Sequence, residues 1–291
     1  MAAPTTSLPE SVGAARNWDY RYVWLRDAAL NLYALFSLGY RDEAHRFMQW
    51  IKRTTAGHHK YGGHIDPAFW DLLRGVIDVV ERRWKEPDES FWEFRDARRH
   101  FVISKVMCWV AVQRAIRLAR SLNLDADLNR WQRLRDAIHE RVDRDGVDAR
   151  TGAFVQAFGA AELDAANLLI PLVRFLRPDD PRMRATVDRT WRELATDGLV
   201  NRYQRPDGLQ GDEGAFVICS FWLVDNRAQR GDVDAARALF ERISRCANDV
   251  GLLAEEVDPV SGAQLGNFPQ ALSHVGLIGA AMNLKKAEAS V

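Results

Sequence analysis

The stretch WLRDAALNLYALFSLG, residues 24–39, shows the hydrophobic spacing that recurs along the whole chain. Its apolar side chains return every three or four positions, at Trp24, Ala28, Leu32, Leu35 and Phe36. That spacing places them on one face of an α-helix, and Gly39 stands where the helix would end. A second helix is predicted to open at Asp42 and to stop near Gly57. The segment therefore predicts two helices joined by a short turn.

Helical spacing continues to the C-terminal end of the sequence. Further periodic stretches run over residues 67–84, 104–122, 125–142, 163–176, 181–194, 215–230, 233–248 and 269–283. Proline follows aspartate at Pro67 and Pro181, which is typical of a first helical turn. No stretch alternates like a strand, and no consensus repeats as it would in a solenoid. We therefore expect an all-α protein, built as a closed ring, or toroid, of helical hairpins.

Charge and composition exclude several classes of partner. The 291 residues include 40 Lys plus Arg and 40 Asp plus Glu, so the formal net charge is zero. Nucleic acids and anionic membranes need clustered basic residues, and we expect neither as a partner. The sequence shows no signal peptide and no membrane-spanning stretch, which predicts a cytoplasmic protein.

The sequence does not predict a metal site or another cofactor. His58, His59 and His64 form the only histidine cluster, and they lie in a glycine-rich turn with Asp66 as the only nearby carboxylate. A metal site there is the weaker interpretation, because zinc sites need three or four well-spaced ligands.

Tryptophan is unusually frequent, with ten residues in the chain. Several lie beside charged residues, as in NWDYR at 17–21 and FWEFR at 91–95. A flat ring next to hydrogen-bonding groups suits a sugar, which has an apolar C–H face and a rim of hydroxyls. The alternative is that tryptophan only fills the core, as it does in most proteins.

Polar residues stand at three helix boundaries, where the loops of a helical ring carry its site. At the first boundary, Arg26 and Asp27 follow Trp24 at a helix start. Together they can bind neighbouring sugar hydroxyls, because Arg donates hydrogen bonds and Asp accepts them. The alternative is that Asp27 only interacts favourably with the helix dipole.

The second and third boundaries carry glutamates. Glu93 lies among Phe91, Trp92 and Phe94, and desolvation by these rings would raise its pKa, as a general acid requires. Glu255 and Glu256 are adjacent carboxylates, so one can act as a base while the other binds a sugar hydroxyl. The alternatives are a solvated Glu93 between buried rings and a solvated acidic loop. Two separated carboxylates among aromatic residues are the minimum set for a glycosidase.

Four strings, in order along the chain, resemble glycoside hydrolase family 15, the glucoamylases and their bacterial trehalase-type relatives. They are RNWDYRYVWLRDAA at 16–29, FWEFRDARRHFVISKVMCWV at 91–110, GDEGAFVICSFWLVD at 211–225 and GLLAEEVDPVSGAQLGNFPQALSHVGL at 251–277. The resemblance implies an (α/α)6 toroid that hydrolyses α-glucosidic bonds of an α-glucoside or α-glucan from the non-reducing end, with inversion at the anomeric carbon.

The resemblance also implies a role for each matching residue. Glu93 would be the general acid and Glu255 the general base. The remaining matches would bind or enclose the sugar, at Trp24, Arg26, Asp27, Trp92, Arg202 and Glu256. Inverting pairs stand about 6.5–9.5 Å apart to admit water, so Glu93 and Glu255 are expected to face each other across one pocket.

The sequence departs from the family pattern in three segments, one of which is residues 96–98, where relatives tend to carry glycines. Bacterial relatives carry a β-sandwich domain before the toroid, and here we expect a single catalytic domain over residues 1–291 without it, with the first ring helix missing. Relatives also have a long pocket-lining segment where this chain has only the short connection between Ile51 and Pro67. We therefore expect an incomplete toroid, whose exposed apolar surface a second copy of the chain can cover as a homo-oligomer.

Three functional hypotheses follow from these observations. The first is an inverting α-glucosidase acting on maltooligosaccharide, isomaltose or trehalose. The second is a shortened relative that binds sugar, or acts within an assembly, with weak or no turnover. The third, an unrelated toroid such as a polysaccharide lyase, needs a basic groove, and the zero net charge argues against it.

Overall fold

The structure is a computed structural model, and it describes residues 6–7, 25–56, 67–204 and 213–290. The α-helices of these residues are α1 (Leu25–Ser37), α2 (Arg41–Ala56), α3 (Pro67–Arg83), α4 (Val102–Leu122), α5 (Leu128–Asp145), α6 (Leu169–Leu172), α7 (Pro181–Glu193), α8 (Val217–Gln229), α9 (Val233–Ser244) and α10 (Ala271–Glu288). The strands are β1 (Thr6–Ser7), β2 (Ala195–Thr196), β3 (Leu199–Val200), β4 (Ala215–Phe216), β5 (Glu256–Val257), β6 (Gln264–Leu265) and β7 (Asn267–Phe268). None of the described helices is both long and apolar enough to span a membrane.

Burial divides the helices into an inner and an outer set. Eleven of the thirteen residues of α8 are buried, which is typical of a helix that is packed on all sides. In contrast, α9 buries only Ala236, Leu239 and Ile243, which share one face. Helix α5 likewise buries a single stripe of side chains, and its other faces are polar. Thus α8 is an inner helix that α9 covers from outside, and α4 is an inner helix that α5 covers from outside.

The helices are arranged as a ring in chain order. Neighbouring helices pack pairwise from α1 to α5, and the segment 165–172 contacts both α4 and α8. Helix α8 packs against α9 and α10, and α10 packs against α1, which joins the last helix to the first. The predicted all-α toroid is therefore confirmed.

Proline and aspartate mark helix starts as the sequence predicts. Helix α3 begins at Pro67 and α7 at Pro181. The Asp180 carboxylate accepts a hydrogen bond from the Arg182 backbone N–H at 2.9 Å and so caps α7.

The helix predicted over residues 163–176 is wrong in length and type. The structure has a 3₁₀ helix over Ala165–Leu168, followed by the single turn of α6. Arg174 adopts a left-handed conformation with φ of 65°, which ends the turn. Residues 165–171 are all buried, so their apolar run carries no helical periodicity that would reveal the break.

The described strands are two residues long and were not predicted, because so short a strand cannot show alternation. Strands β4, β5 and β6 form one antiparallel sheet in that order. Strand β4 runs directly into α8, and β5 begins with Glu256. Strand β1 pairs with β7, with Ser7 opposite Asn267. These strands hold the loops that carry the glutamates next to the inner helices.

Candidate active site

Glu255 lies directly before β5 and is held by Asn267. The Asn267 side-chain Nδ2 donates to Glu255 Oε2 at 2.6 Å, and the Asn267 backbone N–H donates to the same oxygen at 3.2 Å. The backbone N–H of Glu255 donates in return to the Asn267 carbonyl at 2.9 Å. Burial raises the pKa of Glu255, while Asn267 and the charge of Arg202 partly oppose that rise. The carboxylate is thus fixed in position and is a stronger base than an exposed glutamate.

Glu256, the first residue of β5, is fully buried. Its Oε2 accepts a hydrogen bond from the Gly214 backbone N–H at 2.8 Å. A Cβ at Gly214 would lie 3.1 Å from the Glu256 Cβ, so glycine permits this close approach. The alternative of a merely solvated acidic loop is therefore wrong for Glu256.

Arg202 lies at the centre of the site. Its guanidinium lies 5.4 Å from the centre of the Trp92 ring, 5.2 Å from Tyr203 and 4.2 Å from Phe216. It also forms a two-pronged ion pair with Glu213, in which Nε lies 3.0 Å from Oε2. Burial by itself would lower the Arg202 pKa, but the Glu213 carboxylate outweighs burial and the pKa is raised. Arg202 is therefore a permanent positive charge held between aromatic rings.

Trp92 packs with its ring against Phe91, Phe216 and Trp222, at centre-to-centre distances of 5.0, 5.7 and 6.2 Å. Its indole Nε1 donates a hydrogen bond to Asp164 Oδ1 at 2.8 Å. The side chain is half-buried, so part of the ring remains accessible. Trp92 thus joins the loop that contains Glu93 to the inner helices.

The environment expected for Glu93 differs from the one observed. The prediction that the flanking rings desolvate Glu93 is wrong. Glu93 is exposed, whereas Phe94 is buried and Phe91 and Trp92 are half-buried. Glu93 has a left-handed backbone with φ of 60°, and the loop folds its aromatic neighbours inward without covering it. The alternative of an exposed glutamate between buried rings describes this loop.

The loop that carries Glu93 is anchored at its base on α4. The buried Lys105 donates from Nζ to Asp88 Oδ2 at 3.0 Å, and Ser104 Oγ donates to Asp88 Oδ1 at 2.6 Å. The Ser90 backbone N–H donates to the same Asp88 oxygen at 2.9 Å. The loop therefore leaves the inner helix in a fixed direction.

Four of the residues predicted from the sequence come together around the Arg202 guanidinium: Arg202 itself, Trp92, Glu255 and Glu256. Trp24 lies outside the described residues. Arg26 and Asp27 lie in the first turn of α1, and the placement of their side chains is also outside what is described.

The histidine cluster at 58–64 lies outside the described residues. Within the described ranges, no group of three or more His, Cys, Asp and Glu side chains is arranged to hold a metal ion.

Three residues that help to build the site were not singled out from the sequence. They are Asp164, which accepts from Trp92, Glu213, which pairs with Arg202, and Asn267, which binds Glu255. Glu213 and Asn267 lie inside the strings that resemble the family, at 211–225 and 251–277, but no residue type or spacing there indicates a partner. For Asp164, the only signal is a carboxylate at the edge of an apolar run.

Comparison with known proteins identifies the family. The family model described as "Glycosyl hydrolases family 15" matches residues 1–62 and 55–282. The chain belongs to glycosyl hydrolases family 15.

Family 15 relatives with curated names are trehalases. The trehalase of Thermoplasma acidophilum is 36% identical over 344 residues, covering 99% of this chain and 59% of that protein. The trehalase of Mycobacterium tuberculosis is 37% identical over 352 residues, covering 99% of this chain and 52% of that protein. The chain therefore spans a little over half the length of these relatives.

Among solved structures, a bacterial glucoamylase complexed with acarbose superposes with a TM-score of 0.75 at 15% identity. It covers 97% of this chain and 52% of that protein. At this identity the similarity supports the fold alone, and it agrees with the toroid described above.

The alignments also include positions that have no residue in this chain. The region aligned with the Thermoplasma protein is 344 residues long, whereas this chain has 291 residues, so at least 53 aligned positions have no residue here. The family model matches in two segments that meet at residues 55–62. This is where the sequence predicts a shortened connection between Ile51 and Pro67.

Proposed function

We propose that this chain hydrolyses an α-glucosidic bond with inversion, with Glu255 as general base and Glu93 as general acid. The observation that carries the proposal is the cluster of Trp92, Arg202, Glu255 and Glu256. It combines a half-buried aromatic ring, one fixed cation and two carboxylates in different surroundings. Membership of family 15 supports the same reaction class.

Glu255 has the properties of the base. Burial raises its pKa, so it accepts a proton from water more readily than an exposed glutamate does. Asn267 fixes Oε2 with two hydrogen bonds, which directs the carboxylate. In the proposed step, Glu255 takes one proton from a water molecule as the water oxygen attacks the anomeric carbon.

Glu93 would complete the reaction from the other side of the sugar. Its proton passes to the glycosidic oxygen as the bond between that oxygen and the anomeric carbon breaks. A sugar stacked on Trp92 would cover the neighbouring Glu93 and desolvate its carboxyl group. Arg202 would donate to a sugar hydroxyl, and Trp24, Arg26 and Asp27 are proposed to bind the same sugar. Glu256 is fully buried, so the sugar contact expected for it is replaced by a supporting role: it would hold the Gly214 backbone beside the pocket.

Trehalose is the substrate that we propose first, because the relatives at 36–37% identity bear the name trehalase. Its two glucose units are joined through both anomeric carbons, so inversion at one carbon makes a specific product mixture. One β-glucose and one α-glucose are released at the start, whereas retention releases only α-glucose. Maltose and isomaltose are the comparison substrates.

The test combines product analysis with matched variants. Proton NMR in the first minutes of the reaction should show equal α- and β-glucose from trehalose. E255Q and E93Q should each lower kcat at least about a hundredfold, the size typical of lost acid–base catalysis. E241Q, on the exposed surface of α9, is the control and should keep full activity. Purely α-glucose as first product, or full activity in E255Q, would contradict the proposal.

The shortened connection favours a second candidate function, sugar binding without turnover. At least 53 aligned positions of the Thermoplasma relative have no residue in this chain. The two family-model matches overlap at residues 55–62, within the connection where the sequence predicts a missing pocket-lining segment. Calorimetry with trehalose, maltose and isomaltose, run beside a glucose-release assay, separates the two candidates. Binding with no glucose release supports the second function, and measurable release excludes it.

A further inference from the structure

We propose that Asp164 is a positioning residue: it orients the Trp92 indole and, through the Trp92–Glu93 peptide, places the proposed general acid. This inference rests on the proposed function, since it assigns Asp164 a role in the delivery of the Glu93 proton. Asp164 lies outside the loop of Glu93 and is only 1% exposed, so it does not itself reach a substrate.

The Asp164 carboxylate is committed to two donors through one oxygen. Oδ1 accepts from the Trp92 Nε1 at 2.8 Å and from the Ala166 backbone N–H at 2.8 Å. In the part of the chain that the structure describes, Oδ2 has no hydrogen-bond partner. A buried carboxylate normally uses both oxygens, so leaving one unused is costly. The two hydrogen bonds at Oδ1 offset part of that cost, and they fix the direction of the indole.

The same short segment also holds Arg202. The Ala165 backbone N–H, next to Asp164, donates to the Arg202 carbonyl at 2.8 Å. The Arg202 guanidinium in turn lies 5.4 Å from the centre of the Trp92 ring. Residues 164–166 therefore contact both the loop of Glu93, through the Trp92 indole, and the backbone of Arg202.

The loop of Glu93 needs such an external support. Ser90 and Glu93 both have left-handed backbones, with φ of 72° and 60°, which for residues other than glycine costs about 1 kcal/mol or more each. The hydrogen bonds within the loop are local, such as Phe94 N–H to the Glu89 carbonyl at 2.8 Å. The indole hydrogen bond links residues 72 positions apart and ties the turn to the inner ring.

The test exploits the fact that a general acid matters less when the leaving group departs without protonation. Trehalose needs a proton on its glycosidic oxygen, whereas α-glucosyl fluoride releases fluoride with little help. D164A should therefore lower kcat on trehalose about 10- to 100-fold, the cost typical of a misplaced catalytic group. On α-glucosyl fluoride, kcat should stay within about threefold of the wild type. D164N keeps an oxygen for the indole and should restore most of the trehalose activity.

Two further variants keep the result specific. W92F removes the same hydrogen bond from the other side, so D164A should add little further selective loss in the W92F background. If D164A does not fold, W92F alone allows the comparison of kcat on trehalose with kcat on α-glucosyl fluoride. S121A removes a local hydrogen bond at the exposed C-terminal end of α4, away from this loop, and should leave the activity on both substrates unchanged.

The outcomes distinguish the two proposals. Equal losses on trehalose and fluoride in D164A, or in W92F, would overturn the positioning role and leave the proposed function standing. E93Q is the reference, because it should lose trehalose activity while keeping fluoride activity. If E93Q shows no such difference, the acid assignment fails and the role of Asp164 fails with it.

Discussion

Asp225 gives the sharpest test of the packing between the inner helices. It lies in α8, is 4% exposed, and accepts a hydrogen bond from Asn283 Nδ2 of α10 at 2.7 Å. Burial raises its pKa from 3.8 to about 7, and the hydrogen bond from Asn283 opposes only part of that rise. We predict that D225N, which keeps the shape and removes the charge, stabilises the protein above neutral pH.

The magnitude follows from proton binding in the two states. With a native pKa of about 7 and an ordinary value of 3.8 in the unfolded chain, the native protein holds a proton that the unfolded chain has released. The free energy of unfolding therefore falls as pH rises from about 4 to about 7 and stays constant above that range. At about 1.4 kcal/mol per pH unit, the contribution of Asp225 falls by about 4 kcal/mol.

Urea unfolding of wild type and D225N, measured every half unit from pH 4.5 to 8, provides the assay. Subtraction of the two curves cancels the contributions of all other titrating groups. The difference should grow in favour of D225N by several kcal/mol up to about pH 7 and then level off. D249N removes an exposed carboxylate in the turn after α9 and controls for the loss of one charge.

A constant difference between D225N and wild type across this pH range would refute the reasoning. It would mean that the carboxylate between α8 and α10 ionises as easily in the native protein as in the unfolded chain.

Two other predictions concern the candidate site. A Cβ at Gly266 would lie 3.1 Å from both the Cβ and the Oε2 of Glu255, whereas a Cβ at Gly262 would meet nothing within 4 Å. Both glycines have a left-handed backbone, with φ of 70° at Gly266 and 72° at Gly262. G266A and G262A should therefore each lower the free energy of unfolding by about 1–2 kcal/mol through backbone strain. In steady-state kinetics, only G266A should lose kcat, by at least about tenfold. Equal kcat values for the two variants would argue against the placement of Glu255. E213Q leaves the Arg202 charge without its ion-pair partner and should cost about 3 kcal/mol in urea unfolding at pH 7, with a lower affinity for sugar in calorimetry; unchanged stability would show that Glu213 does not compensate that charge.

The outer helices could be predicted from the sequence because one face of each meets water. Helices α7 and α9 bury residues three or four positions apart, and that spacing can be read directly. The inner segment 165–171 is buried on every side, so its apolar run shows no period, and the prediction of one long helix there was wrong. Burial on all sides thus weakens the signal on which helix prediction relies: α8 was still predicted, over residues 215–230, whereas the break between the 3₁₀ helix and α6 was not.

The candidate site, too, could be predicted from the sequence only in part. Trp92, Arg202, Glu255 and Glu256 were predicted from residue types and from the family resemblance. Their partners were not, because such contacts depend on the folded ring, as the 72 residues between Trp92 and Asp164 illustrate. The exposure of Glu93 was left open between two alternatives, because aromatic neighbours in sequence do not reveal whether a left-handed turn will fold them away from it.

The pairing of β1 with β7 has a consequence for how the protein is made. Ser7 lies opposite Asn267, which is 260 positions further along the chain and binds Glu255. During synthesis, a chain that already contains Trp92 and Arg202 still lacks the proposed base, and β1 can pair only once β7 has been made. Pairing of β1 and completion of the proposed base therefore depend on the same segment, and a bulky insertion next to β1 would disturb Glu255 more than its distance in sequence implies.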